Sequence, residues 1–204
     1  MTLAWVAGEA AVGVFAGPLL RAGVLARYGV KPPVLTVEVA AGVALALAVV
    51  RAAAPWQAAA LGWLMLCAVA LTFIDIAIRR LPDPLTGAAL AGVLGFLAVA
   101  AFTGGQPGQF GRAALAAVAL CGFYLLLFLI RPAGMGLGDI KLAASLGAAL
   151  GWQGWEQVVT AAFVTFTAAA LYGVALLLLR RATRTTQFPL GPFMVLGALV
   201  ALLT

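Results

Sequence analysis

Apolar residues run along this chain in stretches of about 20, separated by short polar or Gly/Pro-rich breaks, rather than in the alternation of a half-buried strand. The pattern predicts eight helical spans, roughly at 3–20, 34–50, 56–74, 85–102, 113–130, 140–152, 158–179 and 188–203. The sixth is too short for an ordinary crossing, the mark of a buried or re-entrant segment. The start of the chain has no basic stretch before its apolar run, so 3–20 reads as a retained first span and not as a cleaved signal peptide. Neither a repeat, a linker nor a low-complexity tail interrupts the pattern, and 103–109 is a short Gly/Pro loop. The expected fold is all-α: one polytopic membrane helix bundle of about eight transmembrane helices, a single domain over 1–204.

The charges orient the bundle. With the N-terminus outside, the inner segments hold Arg21, Arg27, Lys31, Arg79, Arg80, Arg131, Lys141, Arg180, Arg181 and Arg184, and the outer ones only Arg51 and Arg112. That is the asymmetry of the positive-inside rule. If the sixth segment failed to cross, Arg180–Arg184 would fall outside, so all eight are kept and both termini are placed outside. Composition agrees: 65% of the 204 residues are hydrophobic and 9% charged, against roughly 25% charged in soluble domains. The net charge of +6 is the cationic side of a membrane protein and does not call for nucleic acid as a partner.

Elimination narrows the chemistry. The chain has no histidine and no asparagine, and Ser145 is its only serine. Ser-His and Cys-His nucleophiles and zinc proteolysis through HExxH are therefore excluded. Cys67 and Cys121 lie within apolar runs and form no CxxC, so no metal site and no cofactor is expected. Acid–base work falls to six acids: Glu9, Glu38, Asp75, Asp83, Asp139 and Glu156.

Two of them stand out. Asp75 ends the third span and Asp139 opens the sixth, so in the eight-span topology both lie at the inner membrane boundary. An ionisable group at membrane depth is a functional-site hypothesis by default. Two carboxyls at one level share a proton; the charged one activates a water while the neutral one polarises a carbonyl, with neither histidine nor metal. Gly134, Gly136 and Gly138 permit positive φ and let backbone approach a bound peptide closely. Blander readings stand beside these. Asp139 serves as an N-cap, and Asp75 pairs with Arg79 four residues on. Asp83 caps the helix in which Pro84 takes the first position. Lys141 pairs with Asp139 or binds lipid head groups. Glu9 and Glu38 pair with each other or with arginine inside the bundle, and Glu156 caps the seventh span from a short outer loop. Gly and Ala along the spans serve close helix packing.

The segment Asp75-Ile-Ala-Ile-Arg-Arg-Leu-Pro-Asp-Pro-Leu-Thr86 resembles the first catalytic motif of type IV prepilin peptidases. Gly136-Leu-Gly-Asp139, followed by Ile140-Lys141-Leu142, resembles their GxGD motif, and Phe188-Pro-Leu-Gly-Pro-Phe193 is similar to their C-terminal segment. The resemblance covers roughly 58–204, a peptidase core, and leaves 1–57 as weakly matching helices, similar only through Gly13-Val-Phe-Ala-Gly17. It implies a membrane aspartic endopeptidase that removes the leader of prepilins or pseudopilins at the cytoplasmic face of the cell membrane. Asp75 and Asp139 would be the catalytic pair, with Pro82, Asp83, Gly136, Gly138 and Lys141 as motif or substrate-binding residues. The partners would be leader peptides and membrane lipid. The absence of the zinc-binding CxxC insert of many bacterial relatives sets the expectation that N-methyltransferase activity is missing. Ala77 stands where many relatives have a further acid. Two alternatives remain: a presenilin-like protease, which shares GxGD but has Tyr where Ile74 stands, and a small proton-coupled transporter, for which an inverted repeat is wanting.

Overall fold

The computed structural model describes residues 3–33, 35–132, 135–181 and 188–204; the side chains of 3–10 and 49 lie outside the description, as do Gly134 and Arg184. Among the described residues the secondary structure is helical throughout. Eight α-helices follow in order: α1 Leu3–Leu19, α2 Thr36–Arg51, α3 Pro55–Ile78, α4 Asp83–Gly104, α5 Pro107–Ile130, α6 Leu137–Gln153, α7 Trp155–Leu178 and α8 Gly191–Leu203. Four of these, α3, α4, α5 and α7, are long and apolar enough to cross a membrane, at 22 to 24 residues each. The chain is a multi-pass helical membrane protein.

Prolines mark the starts. Pro55 and Pro107 open α3 and α5, and Pro84 and Pro192 occupy the first turns of α4 and α8. The missing N–H costs nothing there and the fixed φ is already helical. α5 therefore begins six residues before the apolar run. The loop expected at 103–109 shrinks to the left-handed Gly105 (φ 63°) and Gln106, because Pro107 is a stronger start signal than hydropathy.

α6 is the hub. It touches α3, α4, α5, α7 and α8, and every residue from Leu142 to Trp152 is buried. This accounts for the short sixth run: a helix wrapped by protein need not match the thickness of lipid. Gly147 and Gly151, a GxxxG pair, let α5 approach. A Cβ on Gly147 would stand 2.6 Å from the Ala116 carbonyl oxygen, and one on Gly151 would strike the Ala116 side chain. α1 and α2 use the same device. A Cβ on Gly13 would lie 2.5 Å from Ala41 O, and one on Gly17 would lie 2.6 Å from Glu38 Cα. The far end of α6 is closed by Arg112, whose Nε donates to Gly151 O (2.7 Å) and whose Nη2 donates to Trp152 O (2.6 Å) and Gln153 O (3.3 Å). A cation on the last carbonyls suits the negative end of the helix dipole.

Candidate functional site

Asp75 sits in the last turn of α3 and is 5% exposed. Its Oδ2 accepts the N–H of Gly191, the first residue of α8, at 2.9 Å. A carboxylate is thereby set at a helix N-terminus, where free N–H groups and the dipole favour negative charge. A Cβ on Gly191 would come 2.8 Å from that oxygen, so glycine there lets the carboxyl approach this closely. The expected Asp75–Arg79 ion pair does not form. Arg79 terminates α3 in the left-handed conformation (φ 53°), and its backbone N–H donates to Asp75 O at 2.9 Å, which turns the chain away from the carboxylate.

Asp139 lies in the first turn of α6, 6% exposed. It is not the N-cap expected from sequence. Gly136 holds that place, and Asp139, three residues on, accepts the Gly136 N–H through Oδ2 at 2.9 Å. This is the reach-back half of a capping box. Neither Gly136 nor Gly138 has positive φ, so the turn does not need their conformational freedom. Gly138 is needed for space: a Cβ there would stand 2.5 Å from Leu81 Cβ and 2.9 Å from Leu81 O. The atoms it makes way for belong to the α3–α4 connection. A Cβ on Gly136 would meet only Asp139 Oδ2, at 3.5 Å, and Gly138 N, at 3.9 Å.

Both carboxyls line one cavity of about 830 Å³ at one end of the bundle. Its walls are the α3–α4 connection (Arg79, Arg80, Leu81, Pro82, Asp83), the entry to α6 (Met135, Gly136, Leu137, Gly138), the lead into α8 (Phe188, Pro189, Leu190) and Tyr28 from the α1–α2 connection. At its edge Lys141 Nζ meets Asp83 Oδ1 at 2.6 Å, both side chains largely exposed. Lys141 thus pairs with Asp83, not with Asp139. Asp83 is the first residue of α4 and Pro82 its N-cap, which corrects the cap assigned to Asp83. The residues singled out from sequence, Asp75, Asp139, Pro82, Asp83, Gly136 and Gly138, are all gathered here, with Lys141 tied to the edge.

The remaining acids are elsewhere. Glu38, in the first turn of α2, forms an ion pair with Arg21, just past the end of α1. Glu156 lies in the first turn of α7 but Gly154 is its N-cap, so Glu156 meets the helix dipole and is not the cap. The side chain of Glu9 lies outside the described residues, as does Gly134. No group of three or more His, Cys, Asp or Glu is gathered among the described residues. Sequence reading gave no role in the site to Leu81, Gly191 or Tyr28. Gly191 was signalled by the 188–193 segment, though not as a partner of Asp75.

Residues 60–178 match the family model described as the type IV leader peptidase family. The chain is 32% identical over 183 residues, 90% of its length, to the prepilin leader peptidase/N-methyltransferase of Aeromonas hydrophila. It is 33% identical over 156 residues to the protein of that name from Pseudomonas aeruginosa, with 72% of the chain and 50% of the relative covered. The Escherichia coli protein of that name is 31% identical over 161 residues, with 78% of the chain and 70% of the relative covered. The chain spans 60% of the length of the Aeromonas hydrophila relative. No solved structure matches it. These names overturn the expectation that N-methyltransferase activity is missing, because each relative is named for both activities. That expectation rested on an absent CxxC. The absence removes one zinc–thiolate arrangement, whereas methyl transfer to an amine demands a place for donor and acceptor and no particular metal.

Proposed function

Since this chain belongs to the type IV leader peptidase family, we propose that it is a membrane aspartic endopeptidase whose Asp75 and Asp139 together hydrolyse a peptide bond in the leader of type IV prepilins or pseudopilins. The observation that carries this reading is the convergence of two buried carboxyls, far apart in sequence, on one cavity at one end of the bundle. A pair so placed keeps one proton between its members. The ionised carboxylate takes a proton from water as it attacks the scissile carbonyl, and the protonated partner donates to the carbonyl oxygen. The Gly191 and Gly136 N–H groups hold one oxygen of each carboxyl, leaving the other for water or substrate.

In this reading all eight helices cross the membrane as one domain, 1–204, with 58–204 as the peptidase core. Both termini are outside and the cavity faces the cytoplasm. Among the described residues the cavity end holds Arg21, Arg27, Lys31, Arg79, Arg80, Arg131, Lys141, Arg180 and Arg181, while Arg51 and Arg112 lie at the other end. This is the positive-inside distribution. Gly136 is the position where backbone and peptide come together, and Lys141 with Asp83 lies at the mouth. The test is cleavage of a synthetic prepilin leader peptide by the purified chain in detergent. Asp75→Asn and Asp139→Asn should each abolish product while the protein stays folded by circular dichroism; wild-type turnover in either variant refutes the pair.

A further inference from the structure

The chain between α1 and α2 is built as a rigid strap. Pro18, inside α1, has no N–H for Val14, and the helix widens directly after it into a π turn at Leu20–Val24. A 3₁₀ turn, Leu25–Tyr28, follows and ends at Gly29 in the left-handed conformation (φ 71°). The Gly29 N–H donates to Ala26 O (3.1 Å) and the Val30 N–H to Leu25 O (3.0 Å). On either side of Tyr28, Leu25 (0% exposed) and Val30 (7%) are buried in the core. Arg21, in the π turn, is tied to the buried Glu38 of α2. Two backbone closures, two buried aliphatic anchors and an ion pair therefore fix one aromatic residue, and that residue lines the cavity of Asp75 and Asp139. Tyr28 is half-buried, packed on one side against the core, and among the described residues it is the one lining residue from outside the segment matched by the family model and the lead into α8.

We propose that this strap is the fourth wall of the peptide site, with Tyr28 a substrate-binding residue whose ring and hydroxyl engage the peptide backbone, and with Arg21 and Glu38 as positioning residues that hold it there. The proposal rests on the reading of the cavity as a peptide site. It ties residues 1–57 to substrate binding, a role the core motifs leave open.

The test uses the full chain in detergent with a fluorescently labelled prepilin leader peptide as probe. Binding is measured by anisotropy in the Asp139→Asn background, so it is read without turnover; cleavage by the wild type tests the peptidase reading separately. Adding Tyr28→Phe should weaken binding about threefold to tenfold and Tyr28→Ala about tenfold or more, the range for a lost hydrogen bond and its ring contact. Glu38→Gln should weaken binding without touching the cavity, and Arg21→Glu with Glu38→Arg should recover part of it. Equal affinity in Asp139→Asn with and without Tyr28→Phe and Tyr28→Ala overturns the proposal. So does a Tyr28→Ala protein that unfolds while Tyr28→Phe binds normally, since Tyr28 would then be a packing residue. If the wild type binds the peptide in a Tyr28-dependent way but never cleaves it, the strap stands and the peptidase reading falls.

Discussion

At Gly138 the fold leaves no room for a methyl group. The added Cβ would collide with Leu81, in the connection that begins at Arg79, whose N–H is bonded to the backbone of Asp75. Gly138→Ala should therefore cost about 1–3 kcal/mol of stability, the range for overpacking, and activity should fall with it. Leu81→Gly in the same protein should restore part of both. Gly136→Ala is the contrast, because its Cβ has only ordinary contacts. Its thermal midpoint in detergent should match the wild type, while its peptide turnover falls if substrate passes along that backbone. A Gly138→Ala protein with wild-type stability and no activity would return Gly138 to the peptide path. At this scale the two acids were legible because ionisable groups at membrane depth are rare. The Asp75–Gly191 bond was not, since it joins positions 116 apart in sequence and nothing local to either announces it.

α6 meets an opposite charge at each end, its own Asp139 at the start and Arg112 of α5 at the finish. Asp139 accepts an N–H at its start and Arg112 donates to three carbonyls at its finish. Arg112→Ala should lower stability by about 2–3 kcal/mol, the scale of charged hydrogen bonds left unmade, seen as a lower thermal midpoint in detergent, with Arg112→Lys intermediate. An unchanged midpoint would mean that water replaces the guanidinium without loss. Hydropathy placed every helix and misplaced several starts. α5 begins at Pro107 and α6 takes Asp139 into its first turn, because caps and prolines set helix ends while apolar runs set only the middles. α8 starts at Gly191, later than its apolar run, with Pro192 in its first turn, and Phe188, Pro189 and Leu190 before it line the cavity. The Arg21–Glu38 pair was among the alternatives open from sequence; the π turn was not, although Pro18 marks its beginning.

Over the whole molecule, helix starts and ends alternate between a cavity end and an opposite end closed around Gln57, Gln106, Arg112 and Gln153. A cytoplasmic reporter fused after Arg181 should therefore be active and one inserted at Gly105 silent; the reverse would place the acids on the outer face. The charge asymmetry is what sets this expectation, because loop cations report on sidedness whatever the packing. The cavity itself was not readable, because its walls come from four separate connections. The central claim is that Asp75 and Asp139 act as one unit, and the most direct measurement is the turnover of a prepilin leader peptide by Asp75→Asn, Asp139→Asn and the double variant. The account predicts that each single change lowers the rate by about a thousandfold or more and that the double change lowers it no further, as for residues that share one step. Two modest losses that multiply in the double variant would contradict it.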